Sequence, residues 1–224
     1  NNFFSNIIKK AIGFAQERHF QLLSKTTVQK WYLKNYKHNP DKSTVYLFND
    51  EFTNYQDAEI GIKAIQLLDK LGYNVIIPKH LESGRAYLSK GLVKKAKSIA
   101  NENVKLLRDI ITAQTPLIGI EPSAILSFRD EYPDLVDNAL REEASKLAQN
   151  CMLIDEFISR EIKENKISQD LFTDTTMQIL LHTHCHQKSL TTSESTKTML
   201  SFPRNYQIQE IASGCCGMAG SFGF

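Results

Sequence analysis

At 224 residues the chain can bury a sizeable core, as one domain or two small ones. Its 42% hydrophobic and 23% charged residues fit a soluble globular protein, and a net charge of +2 gives no basis for a nucleic-acid partner. No apolar run approaches the ~18 residues that would span a bilayer, and the N-terminus lacks the compact apolar block and cleavage site of a signal peptide.

Residues 1–42 are basic, aromatic and helical in pattern. Phe4, Ile7, Ile8, Ala11, Ile12 and Ala15 form a helix-like stripe, and Trp31, Tyr32 and Tyr36 mark a second short helix before His38-Asn39-Pro40 breaks it. This part reads as an arm packed on the core. Strand–helix alternation then begins: a buried strand at 45–48, an amphipathic helix from Ala58 to Leu71 closed by Gly72, and a strand at 74–78. A long helix follows over 91–113, then a third strand at 116–120 and a short helix with Ala124, Ile125 and Phe128. Residues 137–164 are expected to form one long amphipathic helix, with Leu147, Cys151, Ile154, Ile158 and Ile162 on its buried stripe and Cys151 as a small buried hydrophobe. Strands at 177–181 and 206–211 flank a helical stretch near 193–200. Such alternation predicts an α/β fold with parallel pairing, whose ligands gather at the carboxyl ends of the strands.

The second half repeats the first. Tyr73 to Glu82 and Tyr206 to Cys215 are each nine positions; Glu51 to Glu82 is 31 and Cys185 to Cys215 is 30. The spacing predicts two related lobes from an internal duplication, 43–136 and 137–224, each with a small, mainly parallel sheet flanked by helices behind the helical arm.

Chemistry concentrates in two stretches, His182-Thr183-His184-Cys185-His186-Gln187-Lys188 and Ser213-Gly214-Cys215-Cys216-Gly217. They hold three of the four cysteines, a use of cysteine that suits ligands in a reducing cytoplasm better than a disulfide scaffold. Thiolates are soft ligands for zinc and for iron–sulfur iron, and the glycines on either side let adjacent cysteines turn toward one centre. In an extended chain His184 and His186 would face away from Cys185, so the three do not all address one ion. An inert loop and a Cys–His nucleophile are the alternatives, the latter without an evident acid or oxyanion loop. Gly217, Gly220 and Gly223 do not make a phosphate loop, since no Lys-Ser/Thr follows.

The run Leu181 to Lys188, together with Ser213 to Gly223, resembles the cysteine-rich CCG domain family, found in the B subunit of heterodisulfide reductase and in glycolate oxidase iron–sulfur subunits. Within that family the likeness is strongest to the C-terminal iron–sulfur region of FAD-linked oxidases of the D-lactate dehydrogenase type. Ala15-Gln16-Glu17-Arg18, Ser83-Gly84-Arg85 and Gly119-Ile120-Glu121-Pro122-Ser123 extend the likeness over most of the chain. The resemblance implies a 4Fe-4S cluster on Cys185, Cys215 and Cys216, with His184, His186 and Lys188 as further ligands or polar neighbours. It implies FAD on another domain, flavin and ferredoxin-like modules as partners, and a cytoplasmic site that allows peripheral membrane association. In the first repeat Glu51, Glu82, Ser83 and Ala124 stand at the family's cysteine positions, which implies a lobe without a cluster. The family's last cysteine motif would lie past Phe224, so a piece of a longer chain is expected. The function implied is electron transfer within a flavin-linked oxidoreductase acting on a 2-hydroxy acid. A zinc-binding structural domain and a metal-free thiol domain are the alternatives.

Overall fold

The computed structural model describes residues 3–15, 17 and 22–217. Gln16, Arg18 and the glycine-rich stretch from 218 to 224 lie outside the described residues. Helix α1 (Phe3–Ala11) precedes α2 (Val28–Asn35), whose first turn is capped by the Thr27 hydroxyl accepting from Lys30 N at 3.1 Å. Val28 and Tyr32 of α2 are buried, so this part of the arm belongs to the core.

The main sheet contains β1 (Ser43–Phe48), β2 (Tyr73–Ile76), β3 (Leu117–Gly119) and β4 (Cys151–Leu153), parallel throughout in the order β2-β1-β3-β4. Helices α3 (Glu51–Tyr55) and α4 (Ala58–Lys70) connect β1 to β2. Helices α5 (Arg85–Ser89) and α6 (Val93–Leu107) connect β2 to β3. After β3 come α7 (Pro122–Leu126), α8 (Tyr132–Leu135) and α9 (Arg141–Ala148), and α10 (Ile154–Lys163) follows β4. Alternation along β1 divides the core between the two faces. Val45 and Leu47 join Ile65, Leu68, Val75 and Ile158; Phe48 joins Val104, Leu107, Phe128 and Tyr132. A Cβ on Gly119 would lie 2.4 Å from Ile125 Cβ, so only glycine lets α7 sit this close to β3.

One expected element is corrected. The single helix over 137–164 is a 3-10 turn, α9, the strand β4 and then α10. Leu147, Cys151, Ile154 and Ile158 happen to fall at helical spacing, but a three-residue strand separates them: α9 packs Ala144 and Leu147 on one face of the sheet and α10 packs Phe157 and Ile158 on the other. Asn150 closes α9 through its amide to Leu147 O, and Cys151-Met152-Leu153 then pairs with β3. Cys151 is buried as expected, but on a strand, and burial pushes its thiol pKa up. The four-stranded sheet therefore continues past residue 136.

The second sheet consists of β5 (Met177–Leu181) and β6 (Tyr206–Glu210), also parallel, joined by α11 (Cys185–Leu190) and α12 (Glu194–Ser201). Helix α11 rests on α7, and α12 on α10 and β6. The plan of β1-α3-α4-β2 recurs here in detail. Ser43 pairs with Tyr73 and Met177 with Tyr206; from those pairs Glu51 and Cys185 are both eight positions on, and each is the first residue of its helix. Gly84 and Gly217, both eleven positions past the second strand's first residue, have φ of 77° and 86°.

Candidate metal centre

The turn after β5 is set by its own side chains. His184 caps α11, its Nδ1 accepting from His186 N at 3.2 Å, and burial holds the imidazole pKa below its ordinary value. Asp50 plays the same part after β1, accepting from Phe52 N and Thr53 N at 2.9 and 2.8 Å. Asp50 and His184, each at a strand end immediately before a helix, are a capping signal that cysteine spacing alone does not bring out.

Because α11 begins at Cys185, Cys185 and His186 lie on a helical turn and not in the extended segment expected, and only the cap residue His184 keeps an extended backbone. Cys185 Sγ lies 3.9 Å from Cys215 Sγ. Gly217 N donates to Cys215 Sγ at 3.3 Å, and the left-handed Gly217 turns the vicinal pair back on itself. Cys185, Cys215 and Cys216 are exposed thiols, none in a disulfide. Burial, then the interaction with the neighbouring Cys215 thiol, raises the Cys185 pKa. Two polar residues clasp the loop: Lys188 Nζ donates to Ser213 O at 3.1 Å and His182 Nε2 to Gly214 O at 3.0 Å. His186 is turned away from the thiols, toward Asp130 at 3.8 Å. It forms with Asp130 and Glu131 the one group of three metal-capable residues among the described residues, their ligand atoms within 4.8 Å of one another. Glu131 is already ion-paired with Arg85.

Other residues fix this turn, and motifs alone do not single them out. Gln187, buried at the third position of α11, donates to Asp155 Oδ2 at 2.9 Å and Thr196 Oγ1 at 3.0 Å, tying α11 to α10 and α12. Glu210 pairs with Lys197 at 2.8 Å and accepts from Thr183 at 2.8 Å and Ser193 at 2.9 Å, contacts that in this order pull its pKa down to about 2.

The matching place in the first unit is filled. Glu51 accepts from Ser83 N at 2.9 Å and Ser83 Oγ at 2.6 Å. Ser83 O accepts from Tyr132 Oη at 2.9 Å, and Asn103 bridges Tyr132 Oη and Glu82 O at 2.9 Å each. Ser83 and Ala124 are fully buried, and Ala124 N donates to Glu121 Oε2 at 2.6 Å. Asp50 Oδ2 is buried without a hydrogen-bond partner; burial, then the carboxylates of Glu121 and Glu51, pushes its pKa up to about 7.

Of the three cysteines, the structure brings Cys185 and Cys215 together and does not gather Cys216 with them into a three-ligand group. Two thiolates on one tetrahedral ion at about 2.3 Å would sit about 3.8 Å apart, against 3.9 Å between Cys185 and Cys215. Among the described residues no helix is long and apolar enough to cross a membrane.

Comparison with characterised proteins agrees with the redox setting. The chain is 27% identical over 184 residues to D-2-hydroxyglutarate dehydrogenase of Haemophilus influenzae, which covers 80% of the chain and 17% of that protein. The Escherichia coli D-2-hydroxyglutarate dehydrogenase is 26% identical over 181 residues, with the same coverage. The C subunit of Escherichia coli anaerobic glycerol-3-phosphate dehydrogenase is 24% identical over 221 residues, 97% of the chain and 54% of the relative. The chain thus spans about a sixth of the first relatives and about half of the last. No family model and no solved structure matches it.

Proposed function

We propose that this chain is an iron–sulfur electron-transfer segment of a flavin-linked dehydrogenase acting on a 2-hydroxy acid, with Cys185, Cys215 and Cys216 as the cluster ligands. The carrying observation is that Cys185 and Cys215, 30 residues apart in sequence, converge at the end of β5 with both thiols exposed; their 3.9 Å spacing is that of two ligands on one ion, and a cluster, which holds each cysteine on a different iron, would draw them further apart. Similarity to two classes of dehydrogenase supports the redox setting. A bound 4Fe-4S centre would supply one-electron storage between a flavin on another module and an acceptor. The protein's own contributions are local. α11 aims Cys185, the Gly217 amide donates to the Cys215 sulfur, and Lys188 and His182 hold the loop carbonyls. Positive charge on Lys188 beside the loop would favour the more reduced, more negative state. In the first unit, Glu51 and Ser83 satisfy each other and would leave a structural lobe.

Anaerobic purification followed by metal analysis and EPR tests the assignment. Iron and sulfide with a paramagnetic signal are expected, and Cys216→Ser should lose them. Stoichiometric zinc without a signal would replace the reading with a structural zinc domain. A metal-free protein with disulfide-reductase turnover would replace it with a thiol domain.

A further inference from the structure

The two sheets share a plan, but the second has only the first half of it. In the first sheet β1 is central: β2 pairs on one side and β3 on the other, with Tyr46 N donating to Pro116 O at 3.0 Å. Its faces are covered, Val45, Leu47 and Phe48 all being buried. In the second sheet β5 pairs with β6 alone among the described residues. The register sets Tyr46 against Leu180, since each is three positions past the first strand's opening pair. Leu180 is 67% exposed, and an open hollow of about 440 Å³ lies over Gln178 to Leu180 and Gln207 to Gln209. A two-stranded parallel ribbon with an open edge is an unusual place to stop, because parallel sheets are normally covered on both faces and an open edge invites pairing.

We propose that the free edge of β5 takes a further parallel β-strand, supplied by the same polypeptide beyond residue 224. That strand would sit as β3 sits on β1. Its backbone would pair at Leu180 and, two residues on, at His182, where alternate residues of a parallel ladder face the same neighbour. The order of the first sheet points to this occupant: β3 follows β2 in sequence and pairs on the far side of β1, so its counterpart would follow β6 and pair on the far side of β5. Glutamines dominate the exposed face and Leu180 is its apolar centre, so recognition comes chiefly from main-chain hydrogen bonds, with one apolar side chain over Leu180. The inference stands apart from the cluster assignment, since it needs no metal.

Amide hydrogen exchange on the complete gene product and on residues 1–224 tests it. The Leu180 amide is expected to exchange about tenfold or more slowly in the complete product. Equal exchange in both overturns the proposal, and so does a complete gene product that ends at residue 224. Protection in residues 1–224 that disappears on dilution also overturns it, by assigning the edge to a second copy. Leu180→Pro is the second measurement. Proline on an unpaired edge removes no ladder bond, so the Tm of residues 1–224 should barely move, while that of the complete product should fall by about 5 °C or more. An equal fall in both overturns the proposal.

Discussion

The two parallel units differ at one corresponding place. Each runs strand, capped helix, helix, strand and a loop that ends in a left-handed glycine. In the first, the opening residue of the helix is Glu51, and the loop returns Ser83 to it in two hydrogen bonds beneath a buried Tyr132. In the second it is Cys185, and the loop returns Cys215 to 3.9 Å, with the thiols exposed. Aligned on their glycines, Ser83 corresponds to Cys216 and Glu82 to Cys215, so the loop returns neighbouring rather than identical positions to the helix start in the two units, and side-chain chemistry decides the outcome. A carboxylate and a serine satisfy each other and close the core over themselves. Thiols satisfy each other poorly, so the second unit stays open to a soft ligand. We propose that the units arose by duplication and that the first exchanged ligation for internal hydrogen bonding.

The largest expected effect separates the two opening residues. Cys185→Ser should abolish metal retention, yet change the apo protein's stability by less than about 0.5 kcal/mol, because an exposed thiol contributes little packing. Metal analysis and urea unfolding of the same sample check both halves. Metal kept by the variant would remove Cys185 from the ligand set.

The capping residues differ in charge, and pH exposes that difference. The folded pKa of Asp50, about 7, lies above its unfolded value near 4, so the native state binds this proton more tightly than the unfolded chain. The corresponding stability is fully present below pH 4 and is lost as pH rises through 7. From the shift, the loss between pH 4 and pH 8 is about 3 kcal/mol, after allowance for the relaxed dielectric of real interiors. Asp50→Asn keeps an acceptor for the cap and carries no charge to bury. The wild-type-minus-variant difference in unfolding free energy should therefore fall with pH by that amount. Taking the difference cancels Glu210, whose lowered pKa works in the opposite direction. A flat difference would mean that Asp50 is as well solvated folded as unfolded.

Glu51→Ala carries the comparison into the first unit at neutral pH. It leaves Ser83 N and the Ser83 hydroxyl buried without their acceptor, at a cost of about 2–3 kcal/mol. Its counterpart, Cys185→Ser, costs almost nothing without metal. Equal costs for the two would show that the first unit is as open as the second.

Much of this was legible from residues. The offsets that matched Glu51 with Cys185, and Tyr73 to Glu82 with Tyr206 to Cys215, reappear as helix starts and strand registers, because strand length and turn chemistry are local. β4 was not legible: three residues are too few to show a strand period, and the helices on either side imposed theirs. Nor was the direction of His186, since its partners Asp130 and Glu131 lie more than fifty residues away. Extended geometry at 185–186 failed for a nearer reason, the His184 cap that starts α11 at Cys185.

The smallest effect concerns how firmly Cys185 is aimed. Gln187 stands at the third position of α11, as Thr53 does in α3, and both are buried. Thr53 is packed beside Gly61, where a Cβ would lie 2.8 Å from its methyl, so α3 is held by shape. Gln187 instead reaches Asp155 and Thr196, so α11 is held by hydrogen bonds. Gln187→Thr would put the first unit's residue into the second without the glycine that accommodates it. Asp155 would keep its contact with Thr196 and lose the amide, costing about 1 kcal/mol. The orientation of Cys185 should loosen with α11, and metal affinity should fall about tenfold, the size of effect expected when a ligand's supporting partner is removed. Competition against a chelator reads that change. Unchanged affinity would show that the Gly217 turn, and not α11, sets the ligand geometry.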